Sequence, residues 1–340
     1  MSLQRIIERH WQQPDLLLTI LLYGFSRLFQ AAVSLRRCLY LSGCLKREKL
    51  PLPVVVVGNL HSGGTGKTPV TAALVRELRR QGVAAGIVSR GYGRRSGDIH
   101  VLNDNSSADQ AGDEPLMLYR QTGAPVAVGA DRAAAARALM AAHPELTLLV
   151  CDDGLQHYRL ARDLEIVVYP AADAGRRPDL LPNGSLREPL ARLAAADAVL
   201  FSNGGADTAR SAEKLFRLPE VCFYSRTEAG RPYRFGSPAE TLSPTDIPAG
   251  TRCAAAAAIA RPERFFKELA HQGFRLDSAT ALPDHAAIDP AKLPAADYVF
   301  ITEKDAVKLP PAAAGNIWVL PVCAIIAPDL AAFVRARLKL

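Results

Sequence analysis

Paired cysteines are missing from this chain. Its six cysteines, at positions 38, 44, 151, 222, 253 and 323 of 340, form no CxxC pair and no close cluster. That excludes a zinc-ribbon site and a dense disulfide framework, and fits a reducing, cytoplasmic setting. Aromatic residues are sparse at 6% and do not interleave with basic stretches, so the footprint of a nucleic-acid binder is absent. No uncharged apolar run reaches the roughly 20 residues needed to cross a bilayer, and no A-x-A-like cleavage site follows the apolar N-terminal stretch. No guanine-specificity motif of the form N/T-K-x-D is present; residues 302–305 read TEKD, with Glu where that motif requires Lys. What remains is an ordinary globular composition, 49% hydrophobic and 22% charged. At about 100–200 residues per domain, the length suggests two domains.

The positive charge is unevenly placed. Residues 1–50 hold eight Lys/Arg against three acids, which accounts for most of the formal +7. Within them, residues 16–35 (LLLTILLYGFSRLFQAAVSL) are apolar apart from Arg27. Drawn as a helix, Thr19, Ser26, Arg27, Gln30, Ser34 and Arg37 share one narrow stripe and the rest of the circumference is apolar. Arg36, Arg37, Lys46, Arg47 and Lys49 follow. This pattern predicts a helix lying in a membrane interface, with its basic residues among lipid headgroups. A helix packed on the protein's own core and a true span are the alternatives.

From Pro51 onward, β-branched runs alternate with helical stretches. Strands are expected at 52–57, 84–89, 126–128, 146–151, 164–169 and 198–201, with helices over 67–81 and 131–142. Such alternation implies a mostly parallel α/β sheet flanked by helices. Residues 229–250, rich in Pro, Gly and Ser, read as an interdomain connection. A smaller βα series follows, with strands at 252–259, 274–280, 298–302 and 317–322 and helices at 262–272 and 328–338. The expected organisation is a membrane-associated segment 1–50, a core domain 51–228, a connection 229–250 and a smaller α/β domain 251–340.

The valine run leads into GNLHSGGTGKTPV. A glycine-rich turn between strand and helix is the context of a P-loop, whose backbone N–H groups wrap a phosphate while its Lys and Thr reach phosphate oxygens and Mg²⁺. The pattern GxxxxGK(S/T) would place Gly where His61 stands. Residues His61, Ser62, Gly63, Gly64, Thr65, Gly66, Lys67 and Thr68 form the expected nucleotide loop. A second apolar run ends in Asp152-Asp153, the arrangement that holds Mg²⁺ beside a P-loop Thr. Gln156 and His157 lie close enough in sequence to reach the same ion. Arg90 and Tyr92, in a glycine-rich basic turn, are expected to contact an anionic or sugar-bearing substrate; a solvated turn is the plainer alternative.

Nine blocks occur in order: GNLHSGGTGKTP, SRGYGR (89–94), GDEPLML (112–118), VGADR (128–132), CDDGLQHYRL (151–160), LPNGSLREPL (181–190), IARPERFF (259–266), LPDH (282–285) and TEKDAVKL (302–309). Together they resemble the tetraacyldisaccharide 4'-kinase (lipid A 4'-kinase) family of P-loop kinases. Two positions differ from the family's usual pattern: Leu155 stands in place of an aromatic, and Ala286 in place of a second His. The resemblance implies transfer of the ATP γ-phosphoryl, with Mg²⁺, to the 4'-hydroxyl of a lipid A disaccharide precursor at the cytoplasmic face of the bacterial inner membrane. It also implies that Asp113 is the catalytic base and His285 its partner, and that Arg132, Arg187 and Glu188 contact substrate or phosphate. On residue type alone, Asp113 would be a helix cap and His285 a loop residue. Glu303, Lys304 and Asp305 read as a solvated turn. No obligate protein partner is implied. Other readings of a membrane-attached P-loop protein are a GTPase switch, against which the missing guanine motif counts, and a lipid-binding protein with a vestigial loop, against which the intact Lys67, Thr68, Asp152 and Asp153 count.

Overall fold

The computed structural model describes residues 3–310, 313 and 315–340. In β1 (Val54–Gly58) successive side chains point to opposite faces. Val55 and Val57 therefore enter one apolar cluster, and Val54 and Val56 the other. A strand buried on both faces belongs inside a parallel sheet. β1 indeed lies between β5 (Leu148–Asp152) and β6 (Leu164–Pro170), parallel to both. Beyond β5 come β2 (Ala85–Ser89), β4 (Val126–Val128) and the antiparallel edge strand β3 (His100–Val101). Beyond β6 come β7 (Ala198–Ser202), β8 (Cys222–Ala229) and the antiparallel edge strand β15 (Val322–Ala327). Helices α3 (Lys67–Arg80), α5 (Asp113–Thr122) and α10 (Leu330–Leu338) cover one face, and α6 (Arg132–Ala142) covers the other. The short helix α4 (Ala108–Ala111) leads into α5, and α7 (Ala206–Glu213) follows β7.

A second sheet has the order β10 (Ser237–Thr241), β9 (Tyr233–Arg234), β14 (Ile317–Leu320), β13 (Tyr298–Thr302), β11 (Cys253–Ala257), β12 (Ser278–Ala281). α8 (Pro262–His271) packs on β11 and β12, and the single-turn helix α9 (Glu303–Ala306) follows β13 and contacts α5 of the first unit.

Two expected boundaries are corrected. Residues 229–250 are not a linker, because they supply β9 and β10, the antiparallel edge of the second sheet. These strands are short and mostly exposed, so they carry no apolar alternation to read. The second unit also does not run to the C-terminus. At Val322 the chain crosses back to pair with β8, and α10 buries Leu330, Ala331 and Val334 in the core of the first sheet.

The N-terminal segment forms two helices, α1 (Leu3–Gln12) and α2 (Leu16–Leu41). Asp15 caps α2 by accepting from the Leu18 N–H. α2 spans 26 residues with a mean hydropathy of 1.6 in its most apolar window. Ser26 is its one buried residue among those described. The middle of the polar stripe, Ser26 and Arg27, faces the protein body. Ser26 donates to the Leu180 carbonyl at 3.0 Å, Arg27 pairs with Asp179, and from α1 the Trp11 indole donates to the Pro182 carbonyl at 2.9 Å. Arg27 is therefore not among headgroups, as the stripe had suggested. The apolar remainder points outward, with Leu16 75% and Leu28 70% exposed.

Because α10 belongs to the first core, Leu330→Ala is expected to destabilise the chain by about 2–5 kcal/mol, the cost of a core Leu truncation. A denaturant midpoint measures this. A change near zero would restore the expected boundary and place α10 on the surface of a separate C-terminal unit.

Candidate active site

The parallel pairing of β1 with β5 sets Val57 opposite Asp152. The loop leaving β1 and the acids leaving β5 therefore emerge side by side at the carboxyl ends of the strands, where open α/β sheets bind ligands. In that loop Gly63 and Gly66 have φ of +115° and +85°, a region that costs an L side chain dearly. A Cβ at Gly63 or Gly64 would meet no protein atom within 4 Å, so the loop borders open space there. The loop is braced from behind: Asn59 Nδ2 donates to Thr65 Oγ1 at 2.8 Å, and Ser202 Oγ donates to the Thr65 carbonyl at 2.7 Å. Lys67 and Thr68 open α3, whose positive N-terminal end favours an anion. The Ser62 N–H donates to the Ser185 carbonyl at 2.7 Å. His61 is corrected: its imidazole is buried, with Nε2 2.9 Å from Asp173 Oδ2 and its ring edge on Tyr169. It supports the loop from the core, and its side chain is not at the phosphate position.

Asp152 is buried and accepts from Thr71 Oγ1 at 2.8 Å; burial pushes its carboxyl up to about 6. Asp153 has a left-handed backbone with φ of 50°, which turns its carboxylate toward Lys67 Nζ at 3.6 Å and Arg187 Nη1 at 3.4 Å. Burial would raise it, but the charges of Lys67 and Arg187 outweigh that and hold it below the usual range. Asp153 Oδ1 is buried without a hydrogen-bond partner. Two carboxylates, one of them against the loop's Lys67 and with an unpartnered buried oxygen, fit Mg²⁺, which usually takes one or two protein carboxylates and completes its shell with phosphate and water. Gln156 does not belong to this set. Its amide donates to the Asn59 carbonyl at 3.1 Å. The His157 ring is half-buried beside Arg132, and burial pushes it down to about 4.

The structure joins Asp113 and His285, which are 172 positions apart in sequence. Gly112, with φ of 86°, carries the chain into α5 so that Asp113 stands at its first turn. His285 sits at the end of the loop after β12, also left-handed at φ 61°. Its Nδ1 lies 2.9 Å from Asp113 Oδ2 and 3.1 Å from Oδ1. Burial pushes Asp113 up, but the hydrogen bond with His285 and the charges of Lys304 and Lys308 together hold it below the usual carboxylate range. The same hydrogen bond raises His285, against burial and the Lys304 charge. The next residue, Glu114, accepts from Thr68 Oγ1 at 3.3 Å. The buried carboxylate is thus one residue away from direct contact with the phosphate loop.

The remaining expected contacts separate into two groups. Arg90 and Tyr92 are exposed; the Tyr92 ring meets His285 edge-on at 5.4 Å, and the Arg90 charge is felt by Arg132. Arg132, at the start of α6, is buried, donates to the Ala130 carbonyl at 3.0 Å and feels the charges of Asp152 and Asp153. Arg187 is half-buried on Asp153. Glu188 is different. It is fully buried, accepts from the Tyr158 hydroxyl at 2.6 Å and faces Arg192 Nε at 3.5 Å, so its substrate role is corrected to a structural one.

Several residues of the site carried no local signal. Asn59, Thr71 and Ser202 act through single hydrogen bonds to loop and acid. Glu303-Lys304-Asp305 is not a solvated turn. Thr302 caps α9, Asp305 is fully buried against the Ala258 N–H at 3.1 Å, and Lys304 Nζ reaches Glu114 at 3.1 Å. The only pointer to Lys304 was its membership of the TEKDAVKL block.

Adjacent residues Arg187 and Glu188 should therefore respond differently. Glu188→Ala leaves the buried Tyr158 hydroxyl unpaired and removes one of the two carboxylates on Arg192, which keeps Glu165, and is expected to cost about 1–3 kcal/mol. Arg187→Ala removes a half-exposed pair and is expected to change stability by less than about 1 kcal/mol, with the loss appearing in turnover. Thermal melts alongside phosphate-transfer rates measure both, and matching melts would contradict the division.

Comparison with known proteins agrees with this geometry. The family profile described as LpxK, tetraacyldisaccharide-1-P 4'-kinase, matches residues 18–339. The tetraacyldisaccharide 4'-kinase of Neisseria meningitidis serogroup B is 57% identical over 98% of this chain and 96% of its own. That of Chromobacterium violaceum is 45% identical over 98% of each. Among solved structures, LpxK from Aquifex aeolicus in complex with ATP superposes with a TM-score of 0.77 at 27% identity, covering 95% of this chain and 98% of that one. With sequence and fold matched across almost the whole chain, the protein belongs to the tetraacyldisaccharide-1-P 4'-kinase family.

Proposed function

We propose the following division of labour for the reaction of this kinase, transfer of the ATP γ-phosphoryl to the 4'-hydroxyl of tetraacyldisaccharide 1-phosphate. The backbone of the loop from Gly63 to Gly66 cradles the phosphates, the Ser62 N–H being held by the Ser185 carbonyl, and Lys67 neutralises charge developing on them. Mg²⁺, when bound, neutralises the β- and γ-oxygens, and Thr68, Asp152 and Asp153 are the residues that would hold it. Asp113 accepts the proton of the attacking sugar hydroxyl, and His285 orients the carboxylate. Arg90, Tyr92, Arg132 and Arg187 surround the place where an anionic disaccharide would lie. The observation that carries this reading is the Thr68–Glu114 hydrogen bond of 3.3 Å, because it sets the Asp113 carboxylate beside the end of the phosphate loop.

Asp113→Asn is expected to lower kcat by about 10²–10⁴ with little change in KM for ATP. Steady-state kinetics decide: a collapse of ATP affinity with kcat preserved would make Asp113 a nucleotide or metal residue.

The exposed face of α2 supports attachment to the surface of the inner membrane on its cytoplasmic side. A contiguous apolar face of this size is unusual on a free soluble surface. The basic residues 36, 37, 46, 47 and 49 lie at its C-terminal end, where anionic headgroups attract them. The acylated acceptor resides in the same surface, so attachment raises its effective concentration at the site. Ile20→Glu combined with Leu28→Glu, at positions 65% and 70% exposed, should leave the melting temperature unchanged. Cosedimentation with anionic vesicles and turnover of the long-chain acceptor should both fall, while a short-chain soluble acceptor is spared. Equal loss on both acceptors would mean that α2 shapes the sugar site instead.

A further inference from the structure

Lys304 comes from the second sheet and sits where the two units meet. Its ammonium is mostly buried and contacts three acceptors: Glu114 Oε1 at 3.1 Å, Asp284 Oδ1 at 3.2 Å and His285 Nε2 at 3.2 Å. An ammonium has three donor hydrogens and no acceptor, so these three contacts use it completely. The contact with His285 has a chemical consequence. Beside a group that can only donate, Nε2 must carry its lone pair, so the single ring proton must lie on Nδ1. Nδ1 is the atom that faces Asp113, 2.9 Å from Oδ2.

We propose that Lys304 is a positioning residue of the phosphoryl-transfer site: it holds His285 as the Nδ1–H tautomer, so that the imidazole donates its one proton to Asp113 and leaves that carboxylate free to accept the substrate's. The proposal rests on the reading of Asp113 and His285 as base and partner.

The surroundings agree with this assignment. His285 faces Asp113 from α5, Lys304 from α9, Asp284 from its own loop and the Tyr92 ring from the turn after β2. Asp113 faces His285 and Lys304 and, at 3.8 Å, Lys308, whose ammonium is also held by Asp305 at 2.9 Å. Burial opposes the charge on Lys304, but Glu114, Asp113 and Asp284 outweigh it and keep the ammonium protonated. The hydrogen bond with Asp113 raises His285, and the Lys304 charge works against that second proton while helping to keep Asp113 ionised. Removing the charge raises both groups. The sign follows directly: the active pair, Asp113 ionised and His285 neutral, persists to lower pH when Lys304 is present and is lost at higher pH when it is absent.

The test uses the full-length protein. Lys304→Met removes the donor at similar length, and Lys304→Arg keeps a donor-only cation. In Lys304→Met, kcat should fall at least tenfold and the acid limb of kcat/KM for the acceptor should move up by about one pH unit, the scale of losing a neighbouring charge. In Lys304→Arg, the limb should stay near its wild-type position. Nitrogen-15 shifts of His285 should report Nδ1–H in the wild type across the active pH range. A wild-type Nε2–H tautomer, or a Lys304→Met profile with an unmoved acid limb, would overturn the proposal. A folding defect in Lys304→Met leaves the wild-type tautomer measurement to decide. The underlying reading fails separately: Asp113→Asn and His285→Ala enzymes with near wild-type turnover would remove the base pair itself, whatever Lys304 does.

Discussion

A carboxylate buried at a junction between two sheets must be compensated or it will not remain ionised. Asp113 is such a group, and every cation against it comes from the other sheet: His285 from the loop after β12, and Lys304 and Lys308 from around α9. Docking of the second unit and ionisation of Asp113 are therefore one interaction seen from two sides. The same seam is held by Gln121, which donates to Glu303 at 2.8 Å, and by the crossing of the chain back into the first sheet at β15. Separating the units would strip the base of its partners. A site built this way is complete only when the two sheets are together, a form of gating common where a substrate must be enclosed.

A single loop ties this chemistry to the apolar helix at the N-terminus. Residues 179–183 receive α1 and α2 through Asp179, Leu180, Pro182 and Asn183. A few positions on, Ser185 and Arg187 bond the chain around the phosphate loop: the Ser185 carbonyl accepts from Ser62, the Arg187 N–H donates to the Leu60 carbonyl at 2.6 Å, and the Arg187 side chain meets Asp153. Ser26 and Arg27 of α2 are thus used on the protein, which leaves much of its apolar face exposed. The geometry suits a kinase whose acceptor carries its acyl chains in a membrane while its sugar must reach a phosphate loop.

The central strands were legible because four consecutive valines, and runs such as those at Leu148–Asp152 and Leu164–Pro170, can only be buried on both faces. The glycine loop and the acid pair were legible because strand, turn and helix follow one another locally. β9 and β10 were not, because an edge of mixed polar residues has no period-two apolar pattern to detect. Residue type at a motif position also said nothing of direction. His61 turns into the core toward Asp173, and Glu188, adjacent to an arginine on the site, points the other way into Tyr158 and Arg192. Lys304 was hidden for a third reason. Its role exists only after residues far apart in sequence meet, and TEKD in isolation is indistinguishable from a charged turn. The assignment of Asp113 and His285 came from resemblance to the family blocks; their mutual geometry came from the fold.

The central claim is that this chain moves a phosphoryl group from ATP to a sugar hydroxyl through a base supplied with its partners by the second sheet. The most direct measurement incubates full-length protein, Mg²⁺ and γ-labelled ATP with tetraacyldisaccharide 1-phosphate in mixed micelles and locates the label by phosphorus NMR and mass. The expected product carries one additional phosphate, at the 4' position, and forms at a rate that collapses in the Asp113→Asn enzyme. Release of labelled inorganic phosphate without a phosphorylated lipid, or equal product from the Asp113→Asn enzyme, would contradict it.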